Sequence, residues 1–300
     1  MSGARNLPAV KDVDGIMRMD VWQRTPALVR AVLAALAVTL AAEIPWSALV
    51  QTNLKLSGAV PWAVPAMVVY LVFYWRYCDG WGWPASTAAI RHRRFRAGAI
   101  PARTWLWAMA AGVTAVASAV WLLFAWSRVV SVPMPAAPDL SPYPWWTILL
   151  SVPMGAAVSG IAEEAAFRGY MQSTLEDWAG PAAAISITSV FFGLVHFSHG
   201  MAFALPRLPY YLAIGAIYGV LTWRTGSILP SMVLHAGGNA LDGLMMLKLG
   251  IPQAALLIWE TGPDAAFWRN VGLGVVCALA AGWAFHKLKM ATRPALPGTE

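Results

Sequence analysis

Two adjacent glutamates, Glu163 and Glu164, stand inside VPMGAAVSGIAEEAAFRGYMQ, an apolar run long enough to cross a bilayer. Charge at membrane depth is costly, so such residues must find partners, and an ionisable group there marks a candidate functional site. Two more polar groups follow in equally apolar stretches: His196 closes FFGLVH, and His235 to Asn239 form HAGGN. A buried carboxylate beside a neutral imidazole can hold a water and take its proton. A histidine and an amide one helical turn apart can offer N–H donors to a developing oxyanion. Those residue types compose a peptide-hydrolysis set with water as the nucleophile. Two histidines and a carboxylate are also zinc-ligand types, and Glu163, His196 and His235 would be the ligands. HExxH is absent, so a metal-free site is the expectation and Zn the alternative.

Helix spacing sorts the residues. Glu163 and Glu164 are about 100° apart on a helix and cannot point the same way. Glu164 and Arg168 are i,i+4 with the acid first, the favourable order for an ion pair; this leaves Glu163 free to face another span. Phe192 shares a face with His196, and its ring can support the imidazole. His235 and Asn239 share a face, and Gly237 and Gly238 would permit close backbone approach.

The elements that must position these groups follow from composition. The chain is 59% hydrophobic and 12% charged, where an ordinary soluble domain carries about a quarter charged residues. The expected fold class is all-α, a polytopic transmembrane helix bundle of about eight spans. Candidate spans are Ala27–Leu49, Ala59–Trp75, Thr104–Trp126, Trp146–Gln172, Pro181–His199, Leu208–Trp223, Ser227–Leu247 and Phe267–Phe285. The chain divides into a cytoplasmic tail (1–25), N-terminal spans with a basic loop at 78–103 (26–145), a core bearing the polar motifs (146–247), and a last span with its tail (248–300).

Arg5, Lys11, Arg18 and Arg24 precede the first span; Arg91, Arg93, Arg94, Arg96 and Arg103 fill the basic loop. Arg224 and the tail residues Lys287, Lys289 and Arg293 fall on the same side. The positive-inside rule then places both termini in the cytoplasm of an inner-membrane protein. The net charge of +7 is a topology signal, read as membrane-lipid contact by the basic loop rather than as nucleic-acid binding. Trp62, Trp75, Trp105, Trp126, Trp145, Trp146 and Trp223 lie near span ends, as interfacial anchors do. Cys78 and Cys277 form no ligand or disulfide pattern and read as packing residues. Glu43, beside Pro45, reads as solvated at the end of span one. His199 and Asp242 read as loop and water-facing residues.

Trp178-Ala179-Gly180-Pro181 signals a helix stop, turn and restart. In an antiparallel hairpin about that turn, residues whose numbers add to about 359 share a depth, which pairs Glu163 with His196. Each lies roughly 23 Å from the turn at 1.5 Å per residue, and His235 lies about 13 Å into its own span from the same side. The three motifs can therefore meet.

EEAAFR (Glu163–Arg168), FGLVH (Phe192–His196) and HAGGN (His235–Asn239) resemble, in order and approximate spacing, the EExxxR, FxxxH and HxxxN motifs of the CAAX protease and bacteriocin-processing family. These are the type II CAAX prenyl endopeptidases and their bacterial relatives. The resemblance covers roughly residues 146–247. It implies a helical intramembrane protease acting on a membrane-embedded or lipid-anchored protein or peptide. It also implies that Glu163 and His196 activate water, that His235 and Asn239 stabilise the oxyanion, and that Glu164, Arg168 and Phe192 support them. Members are described both as metalloproteases and as metal-free glutamate proteases. A second class of function stays open: a non-catalytic membrane protein of the same fold, in immunity, scaffolding or transport. Retention of all four polar residues favours the enzyme, and the internal pseudo-repeat common in transporters is not evident.

Overall fold

A computed structural model describes residue 22 and residues 24–133, 139–249 and 256–292. The basic residues Arg5, Lys11, Arg18 and Arg293 lie outside the described residues. The described chain is helical and contains no strand. Its elements are α1 (Ala27–Ser57), α2 (Ala63–Cys78), α3 (Ala88–Phe95), α4 (Ala102–Trp126), α5 (Trp145–Glu163), a π-helical segment (Glu164–Met171), α6 (Gln172–Val195), α7 (Met201–Thr225), α8 (Leu229–Leu249), α9 (Ile258–Thr261) and α10 (Ala265–Ala291). The apolar runs read from the sequence fall mainly on helix, although Ala59–Trp75 and Ser227–Leu247 each begin before their helix does. Among the described residues, four helical stretches are long and apolar enough to cross a membrane: Ala27–Ser57, Ala102–Trp126, Trp145–His199 and Ala265–Ala291. Their length and composition are those of an integral membrane protein.

Proline starts three of the long helices described. Pro26, Pro101 and Pro144 cap α1, α4 and α5 with extended ψ values of 142–147°. Proline's fixed φ suits that position, and it leaves no N–H to satisfy. Pro45 lies inside α1, where it cannot bond the carbonyl of Ala41. The Tyr70 hydroxyl of α2 donates to that carbonyl instead. A neighbouring helix thus satisfies the freed group, the condition for proline inside a membrane helix.

The contact between α4 and α10 is built from small residues. On α4, Ala108, Ala111, Gly112, Ala115 and Ser118 are buried, while Leu106 is 64% exposed. The α10 helix packs against them through Gly274, Ala281 and Ala284, and Ser118 Oγ donates to the Gly274 carbonyl at 2.8 Å. Large apolar side chains face outward, as suits a lipid solvent in which close backbone packing, not water exclusion, holds helices together.

The chain turns back inside α6 at Gly180, whose φ of 79° and ψ of 169° are open only to glycine. The predicted hairpin forms there: the rings of Phe167 and Phe192, level with each other by count from the turn, meet edge to face at 5.6 Å. The α1 helix runs antiparallel to α5. Thr147 Oγ1 donates to the Gly58 carbonyl at one end, and Trp46 packs on Gly155 further along.

The basic loop is read above as a lipid-contacting segment, and its arginines do something more specific. Arg94 pairs with Asp177 at 2.6 Å and Arg96 with Glu176 at 2.5 Å, both acids at the hairpin tip. Arg91 turns inward and donates to the Gly80 and Gly82 carbonyls. The Arg96 carbonyl accepts from the Ile228 amide, and the Gly98 carbonyl from Ser227 Oγ. The loop therefore clasps the hairpin tip to the start of α8 and fixes their relative depth.

Candidate active site

The EEAAFR motif does not lie on a regular α-helix. Glu163 ends α5, and Glu164–Met171 winds as a π-helix, with Glu164 through Gly169 all buried. Such widened turns are rare and gather at functional sites. Their i→i+5 bonding brings residues four apart close to the same direction, which sets Arg168 over Glu164. Both side chains are fully buried, with Arg168 Nη1 donating to Glu164 Oε1 at 3.0 Å.

That ion pair has further partners. His235 Nδ1 lies 2.9 Å from the same Oε1 of Glu164, and Arg168 Nη2 donates to the Gly215 carbonyl of α7 at 3.2 Å. The guanidinium also lies over the Phe192 ring, 4.3 Å from its centroid. One buried knot thus joins the π-segment, α6, α7 and α8. Because a carboxylate only accepts, the His235 proton on this side sits on Nδ1, and Nε2 is the nitrogen left for chemistry.

His196 is set by similar means. Its Nδ1 donates to the Phe192 carbonyl at 2.7 Å, so the neutral ring presents Nε2 as an acceptor. Phe192 touches the imidazole edge on, at 4.9 Å, as expected of a supporting ring, and also reaches His235 at 5.9 Å. Tyr211 of α7 stacks on the opposite side at 3.9 Å and 24°. The histidines and Glu163 interact electrostatically. His199 stands exposed in the short 3-10 turn after His196, and Asp242 is exposed on α8.

Glu163 is half-buried. Its Oε1 accepts from Ser159 Oγ at 3.0 Å, and Asn239 Nδ2 donates to that same hydroxyl at 3.0 Å. Glu163 Oε2 is buried and has no hydrogen-bond partner among the described residues. Asn239, on α8, is exposed.

Two expectations need correction. Glu43 is not solvated at a span end, because α1 continues through Pro45 to Ser57. Its Oε1 is buried without a partner among the described residues, and it interacts electrostatically with Glu163 and His235. Gly237 and Gly238 make no close approach: a Cβ at either would meet nothing within 4 Å. The close contact is at Gly160, where a Cβ would lie 2.7 Å from the Ala236 backbone nitrogen. Ser159, Tyr211 and Glu43 were not picked out as site residues. The i−4 spacing of Ser159 from Glu163 was a usable signal, whereas Tyr211 and Glu43 depend on packing between distant segments.

The donor set bears on metal binding. Glu163 Oε2 and the two Nε2 atoms are zinc-ligand types. Among the described residues, however, no three His, Cys, Asp or Glu side chains are grouped to hold a metal ion.

No curated protein and no solved structure matches the chain. A family model does match, over residues 144–241, which include Glu163, Glu164, Arg168, Phe192, His196, His235 and Asn239. The model is that of the Rce1-like type II CAAX prenyl endopeptidases, and the segment that forms the buried knot is similar to that family.

Proposed function

We propose that the protein is an intramembrane endopeptidase that hydrolyses a peptide bond in a membrane-embedded or lipid-anchored protein or peptide. The observation that carries this reading is Glu163 Oε2, a buried carboxylate oxygen with no hydrogen-bond partner among the described residues, on a carboxylate that pairs with no cation among them, whereas Glu164, whose Oε2 is likewise unpartnered, is tied through Oε1 to both Arg168 and His235. An accepting oxygen in that condition can take the proton of a bound water. His196 Nε2 accepts a hydrogen bond from the water's other O–H, which stays on the oxygen, and its Nδ1 bond to Phe192 holds the tautomer.

The water oxygen attacks the scissile carbonyl carbon as its proton passes to Glu163. The oxyanion accepts from His235 and Asn239. With His235 as an imidazolium, Nδ1 donates to Glu164 and Nε2 to the oxyanion, and Glu163, Glu164, Arg168 and His235 then sum to zero charge. Such preset donors do most where water is excluded. The C–N bond breaks as Glu163 returns its proton to the leaving nitrogen. The scheme uses no metal.

The arginine clasp at the hairpin tip supports a cytoplasmic placement of that end, with both termini on the same side of an inner membrane and about eight crossings. Partners are the substrate and membrane lipids. The test is to reconstitute the purified protein in liposomes with farnesylated CAAX peptides and transmembrane peptides, and to read products by mass spectrometry. Defined endoproteolytic fragments are expected; intact peptides across both sets would overturn the reading.

A further inference from the structure

We infer that Ser159 is a positioning residue, a relay through which Asn239 on α8 fixes one oxygen of Glu163 and leaves the other to react. The inference rests on Glu163 being the base. Ser159 lies one turn before Glu163 on α5, and its hydroxyl sits 3.0 Å from both Glu163 Oε1 and Asn239 Nδ2. The direction of the chain follows from donor count. The carboxylate can only accept, so the single hydroxyl hydrogen points at Glu163, and the hydroxyl lone pairs accept from the Asn239 amide. With the amide turned round, the hydroxyl would have to donate to Asn239 and turn a lone pair toward the carboxylate.

A serine inside a helix ordinarily bonds the carbonyl four residues back. Here the hydroxyl donates forward to a side chain instead. Two consequences follow. The Glu163 carboxylate cannot rotate freely, so Oε2, the oxygen without a partner among the described residues, is the one presented to water. One N–H of Asn239 is committed to the relay and its second remains for the oxyanion. Asn239 therefore acts at two points, and Ser159 at one.

Wild type and Ser159→Ala, Ser159→Thr, Asn239→Ala, Ser159→Ala/Asn239→Ala and Glu163→Gln variants are compared in liposomes on one peptide cleaved by the wild type. Ser159→Ala should lower kcat about tenfold to a hundredfold, the scale of one hydrogen bond to a charged group, with KM and Tm unchanged. Ser159→Thr keeps the hydroxyl and should restore most of kcat. The double variant should be slower than Asn239→Ala alone by much less than the Ser159→Ala factor, because a hydroxyl no longer held by the amide already fixes Glu163 poorly. Wild-type kcat in Ser159→Ala, or multiplicative losses in the double variant, would overturn the relay. Full activity in Glu163→Gln would instead overturn the reading beneath it. A drop in Tm with Ser159→Ala and no recovery in Ser159→Thr would make Ser159 structural and also overturn the proposal.

Discussion

His235 and Arg168 reach the same oxygen of Glu164: Nδ1 of one lies 2.9 Å and Nη1 of the other 3.0 Å from Oε1. Two adjacent glutamates thereby take different work. Glu164 organises the buried cations, and Glu163 bonds the Ser159 hydroxyl instead.

Removing Arg168 should cost fold as well as activity. Its loss leaves the Glu164 carboxylate buried without its cation, a penalty of roughly 3–5 kcal/mol for a broken buried pair. Arg168→Ala should give a low yield of folded protein and a lower Tm. Arg168→Lys should recover only part, because an ammonium lacks the planar fork that reaches both Glu164 and the Gly215 carbonyl. A thermally unchanged, inactive Arg168→Ala variant would place Arg168 in the chemistry instead.

Gly160 sets the distance between α5 and α8. A Cβ there would lie 2.7 Å from the Ala236 nitrogen and 2.9 Å from its Cα, which are backbone atoms that cannot step aside. Gly160→Val should push α8 away and separate Asn239 from Ser159, with proteolysis lost at least as completely as in Asn239→Ala. Gly237→Ala meets open space and should leave Tm unchanged. Thermal melts and cleavage rates on the two variants check the contrast.

Much of this was legible in the chain. The helical class, the hairpin about Gly180 and the Glu164–Arg168 pair follow from hydropathy, punctuation and i,i+4 spacing, and the Phe167–Phe192 contact bears out the register. The π-helical winding was not legible, because no local residue preference distinguishes it from an α-helix. Glu43 was misplaced because the groups it faces, Glu163 and His235, lie far away in the sequence, and α1 runs on past Pro45 to Ser57. The basic loop's ion pairs were hidden because their acids, Glu176 and Asp177, lie some 80 positions away in the sequence.

The clasp between the basic loop and the hairpin tip should be needed for site geometry. Arg96 and Glu176 are both mostly buried at their contact. Arg96→Glu sets two like charges together and should lower kcat without touching any residue of the water or oxyanion set. The exchange Arg96→Glu with Glu176→Arg should restore part of it. Equal losses in the single and double variants, read as cleavage rates, would count against a clasp.

Metal dependence is open to direct assay. After exhaustive chelation the protein should keep its activity, since Glu163 and His196 suffice to activate water in the proposed scheme. One tightly bound zinc per chain, with activity lost on stripping and restored on addition, would make Glu163, His196 and His235 its ligands and replace that scheme.

The most direct measurement is the cleavage rate of Glu163→Gln in liposomes, with folding followed in parallel by Tm. The amide keeps the size and shape of the carboxylate but removes the base. The prediction is a loss of cleavage to the background of the protein-free liposomes with Tm unchanged. Cleavage by folded Glu163→Gln at the wild-type rate would contradict the assignment of Glu163 as the residue that takes the proton from water.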